Sequence, residues 1–173
     1  RDLDIGQYIP LKDAKRMDGF IHYGLAAGSQ AFEDSGLIVT AENAERIGVA
    51  IGAGIGGITG IEDCHATYTK SGPRRISPFF VPGNIINMIS GNLSIKYGLK
   101  GPNFAIVTAC TTGTHNIGDA ARMIKYGDAD VMVAGGAERC TSSPTAMGGF
   151  ASAKALSRRN DDPTIASRPW DVD

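Results

Sequence analysis

Apolar positions along the chain follow two registers. From Lys12 to Leu37, Met17, Phe20, Ile21, Leu25, Ala31 and Phe32 approach the spacing of one helical face, and Asp34, Ser35 and Gly36 supply a stop, so one amphipathic helix is predicted. A different pattern follows. Residues 46–53 (Arg46 to Ala53) form a short apolar run broken only by glycine, as do 103–109 (Asn103 to Ala109) and 130–136 (Asp130 to Gly136). Runs of that length without polar alternation suit strands buried on both faces. Between the first two lie a short helix near Ile58 to Thr69, a proline-bearing loop from Ser71 to Pro82, and a helix with Ile85, Ile86, Ile89 and Leu93 on its face. A helix from about Thr112 to Tyr126 separates the second and third runs, with Ile117, Ala121 and Ile124 on one side and Gly127 as its stop. Buried strands joined by helices make βαβ crossovers, which predicts an α/β architecture: a mostly parallel sheet with helices on both faces.

Composition narrows the class. In 173 residues, 17 Lys+Arg stand against 18 Asp+Glu and 42% are hydrophobic, so the chain is expected to fold around a core and not to bind nucleic acid as a bulk polycation. Apolar stretches are interrupted well before the ~20 residues a bilayer helix requires, so membrane insertion is not expected. The three cysteines, Cys64, Cys110 and Cys140, have no C-x-x-C pairing and no histidines at ligand spacing, which argues against a disulfide framework or a metal site and for a reducing, cytoplasmic compartment. No signal peptide is recognisable, although the first residue is Arg1 and not an initiator Met. The 23 glycines are about twice the roughly 7% of an average protein and require tight turns or close backbone approach.

The strongest chemical signal is the stretch from Ile106 to Gly118, where an apolar run ends at Ala109, a cysteine follows, and a helix begins within a few residues. Unpaired backbone N–H groups and the helix macrodipole at such a junction favour a thiolate, and the cysteine N–H can donate to an oxyanion. A free cysteine is more often a small buried core residue, and the context is what marks Cys110 as a nucleophile.

The run Thr108-Ala-Cys-Thr-Thr-Gly-Thr-His-Asn-Ile-Gly118 resembles the active-site segment of the β-ketoacyl-acyl-carrier-protein synthases, in particular the elongating type of dissociated bacterial fatty-acid synthesis. Gly72-Pro-Arg-Arg-Ile-Ser-Pro-Phe-Phe-Val-Pro82, Tyr126 to Glu138, and Ala166-Ser-Arg-Pro-Trp-Asp171 resemble further segments of that family, in the same order. The resemblance implies a thiolase-like fold of two related α/β halves, a homodimer, no cofactor, and a decarboxylative condensation with the acyl chain held on Cys110. It implies acyl carrier protein as partner, in acyl and malonyl forms. It also makes this chain, 1–173, a portion of the first half, lacking the first core strand and the second half. Family members draw two histidines, a lysine and a glycine-rich, Phe-bearing gate from that second half. Two alternatives stand beside this reading: a thiolase acting on coenzyme A thioesters, and a catalytically incomplete fragment or partner that keeps only the fold and dimer surface.

Other site assignments follow from the resemblance. Ile55 and Phe150 fall in segments that line the family's acyl tunnel, against the plainer reading of both as core residues. Lys12, Arg16, Arg74 and Arg75 fall where the family docks its acidic carrier protein, though a charge cluster is most often only a solvated face. His115 belongs to the helix body and is not expected to act as the base; His22 reads as a packed helix residue, and His65 has no ligand partner. The segment Gly52-Ala-Gly-Ile-Gly-Gly57 satisfies G-x-G-x-x-G after a strand, the signature of a dinucleotide turn, but no acidic residue ends a second strand about 20 residues later.

Overall fold

A computed structural model describes residues 3–172. In chain order it forms α1 (Leu11–Ala14), α2 (Gly19–Asp34), β1 (Ile47–Gly52), α3 (Ile58–Ser71), α4 (Phe80–Asn84), α5 (Met88–Tyr97), β2 (Asn103–Phe104), α6 (Thr112–Tyr126), β3 (Val131–Gly136) and α7 (Pro144–Ser152). The strands form one parallel sheet in the order β2-β1-β3, with Val49 opposite Asn103 on one edge and Ile47 to Gly52 opposite Val131 to Gly136 on the other. The chain divides into two compact units, the first ending at Cys140 and the second beginning at Thr141.

Helices cover both faces of β1, as expected. Ile47, Val49 and Ile51 join Phe20, Ile21 and Leu25 of α2 and Ile89 and Leu93 of α5 in one apolar cluster. Successive side chains of a strand point to opposite faces, and on the other face Gly52 meets α6: a Cβ there would lie 2.7 Å from Thr112 Cγ2 and 2.9 Å from Asn116 Nδ2.

The long N-terminal helix is in fact two. Its break comes at Asp18, whose N–H donates to the Gly83 carbonyl (2.8 Å) and whose carboxylate accepts from the Phe20 N–H (3.2 Å), capping α2. The other oxygen accepts from the Gly60 N–H in the first turn of α3 (2.8 Å), so one carboxylate serves two positive helix ends.

Further expectations need correction. The helix expected through Ile85 and Ile86 starts only at Met88: α4 begins inside the expected proline-bearing loop, Ile85 ends it in extended backbone and is exposed, and only Ile89 and Leu93 of the expected face lie on α5 in the core. Of the strands expected to be buried, only β1 is buried throughout, being flanked by a strand on each side; β3 is half-buried. The second strand spans only Asn103–Phe104, because from Ile106 onward α6 side chains satisfy its backbone. Finally, α6 does not pack through Ile117, Ala121 and Ile124, which are exposed. Its buried face is Thr112, Asn116 and Ala120, small enough to approach a sheet whose facing residues include Gly52 and Gly136.

Candidate active site

The Cys110 turn is built by hydrogen bonds from α6. Asn116, fully buried, accepts from the Ile106 N–H (3.1 Å) and donates back to the Ile106 carbonyl (3.1 Å) and to the Thr112 carbonyl (2.8 Å). The Thr112 hydroxyl accepts from the Thr108 N–H (3.0 Å). These side chains replace a neighbouring strand and hold the chain against the start of its own helix. The bend falls at Ala109, whose φ of 51° lies in the left-handed region, a conformation that costs a non-glycine residue about 1–3 kcal/mol and persists only when its surroundings impose it. Cys110 follows in a single 3₁₀ turn, Ala109–Thr111, leading directly into α6. Its side chain is exposed. Thr111, at the helix N-cap, contributes no capping side-chain bond, which leaves the positive end of α6 without a side-chain acceptor from its cap residue.

A second wall is the glycine-rich turn after β1. Glu138, just beyond β3, accepts hydrogen bonds from the Ile55 N–H (2.5 Å) and the Gly56 N–H (3.1 Å). A Cβ on Gly54 would lie 3.2 Å from Glu138 Oε2 and 3.3 Å from the Ala109 carbonyl oxygen, so the turn rests against the residue preceding Cys110. Gly56, at φ 79°, supplies the left-handed step that a side chain would strain. The Ile55 side chain is 41% exposed and so is not a core residue in this chain. Glu138 also disposes of the dinucleotide reading, because two of the N–H groups that would cradle a pyrophosphate already face a carboxylate.

The basic residues come from two distant stretches. Lys12 lies on α1, Arg16 just after it, and Arg74 and Arg75 in a 3₁₀ turn, all exposed. Arg16 and Arg75 line one open cleft of about 390 Å³, together with Lys15 and Arg139. Arg16 is steadied by the Phe79 ring, 4.1 Å from the centroid, and by Asp13 at 3.7 Å. Phe150 lies on α7 in the second unit, 40% exposed.

The remaining candidates are structural in their contacts. The ring nitrogens of His115 meet the Thr108 hydroxyl (3.3 Å) and Asp119 (3.7 Å), and His22 donates to the Ala14 carbonyl (2.8 Å). Burial pushes the Cys140 thiol pKa up, and the negative charges of Glu138 and Asp18 push it further, which holds this thiol in its unreactive form. Sequence reasoning missed the roles of Asn116, Glu138 and Arg139. An asparagine inside a helix, a poor helix former with amide groups to satisfy, was the available signal for the first. An acidic residue directly after the Gly135-Gly136-Ala137 strand end, facing a turn with spare N–H groups, was the signal for the second.

Residues 6–173 match the family described as β-ketoacyl synthase, N-terminal domain. The chain is 65% identical over its whole length to 3-oxoacyl-[acyl-carrier-protein] synthase 2 of Vibrio cholerae serotype O1, covering 42% of that protein, and 57% identical over 171 residues to the synthase 2 of Coxiella burnetii, covering 41% of it. It thus spans less than half the length of these relatives. Among solved structures, a β-ketoacyl synthase from Burkholderia phymatum superposes with a TM-score of 0.77 at 30% identity, over 94% of this chain and 40% of that one. A ketosynthase in complex with its type II polyketide acyl-carrier protein gives a TM-score of 0.82 at 28% identity, over 91% of this chain and 46% of that one. The α/β sheet with helices on both faces is therefore the thiolase-like fold of the ketosynthases, and the chain belongs to the β-ketoacyl synthase family, within its N-terminal domain.

Proposed function

We propose that the protein carrying this chain is a β-ketoacyl-acyl-carrier-protein synthase that extends a fatty acid, with Cys110 as the acyl-accepting nucleophile. The observation that carries this is the exposed Cys110 thiol in a turn imposed by α6, at the helix end where negative charge is favoured. The Cys110 sulfur attacks the thioester carbonyl of an acyl chain on its carrier protein, a C–S bond forms, and the carrier thiol leaves. The tetrahedral oxyanion of that step forms beside the positive end of α6. Malonyl carrier protein then loses carbon dioxide, the carbanion attacks the acyl carbonyl on Cys110, a C–C bond replaces the C–S bond, and the Cys110 sulfur is released. Histidine and lysine residues outside 1–173 manage charge in the decarboxylation.

Ile55 contributes to the acyl tunnel, and Lys12, Arg16, Arg74 and Arg75 dock the acidic carrier protein at the mouth of the cleft that Arg16 and Arg75 share. The solved complex of a related ketosynthase with its carrier protein supports that partner. The protein works as a cytoplasmic homodimer, and 1–173 supplies most of its first α/β half. Among the described residues no helix is long and apolar enough to cross a membrane. The names of the relatives favour a synthase over a coenzyme A thiolase.

One experiment tests both parts. The full-length protein is incubated with an acyl-carrier-protein thioester and its mass shift is followed over time. The acyl mass is expected on the peptide holding Cys110 and absent in Cys110→Ala; equal labelling of that variant would refute the nucleophile. Arg74→Glu combined with Arg75→Glu is expected to slow acylation from the carrier in a salt-dependent way while a small acyl thioester reacts as before. An unchanged rate and salt dependence would refute the docking assignment.

A further inference from the structure

Glu138 is not among the residues lining the basic cleft, and its side chain joins the end of β3 to the turn carrying Ile55. We propose that Glu138 is a positioning residue that fixes the distance between Ile55 and Cys110 and thereby sets which acyl chain lengths the site accepts. The proposal rests on the synthase reading above, since only an acyl chain on Cys110 would measure that distance.

The geometry has three parts. First, the backbone of Glu138 is anchored: the preceding residue, Ala137, donates its N–H to the Gly52 carbonyl (3.0 Å), carrying the β1–β3 pairing up to the turn. Second, the carboxylate is used at both oxygens, Oε2 by the Ile55 N–H and Oε1 by the Gly56 N–H, with the Arg139 N–H also on Oε1 at 3.3 Å. Third, Oε2 and the Ala109 carbonyl oxygen both crowd Gly54, so the same carboxylate that pulls the turn inward holds it against the backbone of the Cys110 turn. The turn is held at its two ends, by the buried Ala53 and by the Gly57 N–H on the Asn84 carbonyl (3.2 Å), which leaves Glu138 as the anchor of its tip at Ile55 and Gly56. Gly54, Gly56 and Gly57 add no side chains, and the exposed Ile55 side chain is not anchored in the core.

An amide cannot replace this carboxylate. Glutamine offers one acceptor oxygen and one NH₂ donor, so either the Ile55 or the Gly56 N–H would face another donor. Aspartate keeps two acceptors but is one methylene shorter and cannot reach both N–H groups from the same backbone position.

The test compares wild-type full-length protein with Glu138→Gln and Glu138→Asp by two readouts. Hydrogen–deuterium exchange of the peptide spanning Gly52 to Gly57 reports the clamp, and acylation rates on Cys110 with carrier thioesters from short to long reports selectivity. Exchange in that peptide is expected to rise about tenfold, the effect of one lost hydrogen bond, with other strand peptides unchanged. The ratio of long-chain to short-chain acylation rates is expected to shift by a similar factor, whichever direction the turn relaxes. A purely structural role would slow all chain lengths together, and a constant ratio in both variants would overturn the proposal. Unchanged exchange would overturn the clamp itself. If wild-type protein accepted no acyl group from any carrier thioester, the synthase reading and the selectivity role would both fall, while the exchange data would still show whether Glu138 holds the turn. The two substitutions guard against a folding failure in either one.

Discussion

The two faces of β1 are packed by opposite means. Toward α2 and α5 the strand presents Ile47, Val49 and Ile51, and the space is filled by large side chains: Phe20, Ile21, Ile89 and Leu93 are fully buried. Glycines on that side receive side chains. A Cβ on Gly24 would lie 2.5 Å from Ile89 Cγ2, and one on Gly28 would lie 2.9 Å from Leu93 Cδ2, so α5 sinks into notches along α2. Toward α6 almost no volume is available. Gly52 and Gly136 receive backbone, with a Cβ on Gly136 placed 3.1 Å from Gly113 Cα, and the contact is secured by the polar Thr112 and Asn116. The first face contributes burial and hence stability; the second contributes the position of Cys110. A protein can hold a strained turn such as Ala109 because these tasks are divided: dense apolar packing resists unfolding, while a hydrogen-bonded, close-packed contact resists small displacements.

That division is open to attack from each side. Deleting atoms should hurt the apolar face most. Leu93→Ala removes a fully buried side chain that no alternative contact replaces, and is expected to cost about 2–5 kcal/mol in urea unfolding. The rate of Cys110 alkylation per folded molecule should stay at the wild-type value; a parallel fall would show that the two faces are not separable. Adding one carbon should hurt the other face. Gly52→Ala would drive a Cβ into the Ile106 carbonyl, which Asn116 prevents from moving away, at an expected cost of about 1–3 kcal/mol. Here Cys110 acylation is expected to fall more than the stability loss explains, because the shift passes directly into the turn. Wild-type acylation in this variant would mean that α6 accommodates the methyl without moving Cys110.

The same contrast explains what could be read from the sequence. The β1 and β3 runs and the extent of α6, with its stop at Gly127, were legible because apolar runs and glycine stops are signals of composition and spacing. The packing face of α6 was not. Hydrophobic periodicity selects Ile117, Ala121 and Ile124, whereas contact with a glycine-lined sheet selects small residues, and of Thr112, Asn116 and Ala120 only the alanine is apolar. The short β2 was missed for a related reason: its apolar residues read as strand, but side chains 4 to 10 positions further along the chain take its backbone hydrogen bonds. The split of the first helix turned on Asp18, whose partners Gly60 and Gly83 are distant in sequence. Cys110 stood out as a nucleophile because strand, cysteine and helix are contiguous, but the clamp from Glu138 joins residues 82 and 83 positions apart, which no local pattern contains.

The smallest expected effect probes the electrostatics beside the clamp. Cys110 is exposed, whereas Cys140 is only partly so and its thiol pKa is raised first by burial and then by Glu138 and Asp18. A thiol with a raised folded pKa keeps its proton longer than it does in the unfolded chain, whose cysteines titrate near about 8.5. Its contribution to stability is therefore complete below that value and is lost as pH rises through the folded pKa. In iodoacetamide labelling followed by peptide mass, Cys110 is expected to react first and Cys140 to lag, with the lag shrinking as the pH is raised. Glu138→Gln removes one of the two negative charges named as causes but leaves the burial, so Cys140 labelling should quicken by only about two- to threefold. Equal rates for Cys140 in both proteins would mean that the charge of Glu138 does not set its reactivity, leaving burial and Asp18; equal rates for Cys110 and Cys140 in the wild type would mean that the site face does not distinguish these two thiols at all. Because Cys140 lies two residues beyond the clamp and outside the proposed acyl path, its labelling reads the charge of Glu138 separately from the geometry that Glu138 imposes on Ile55.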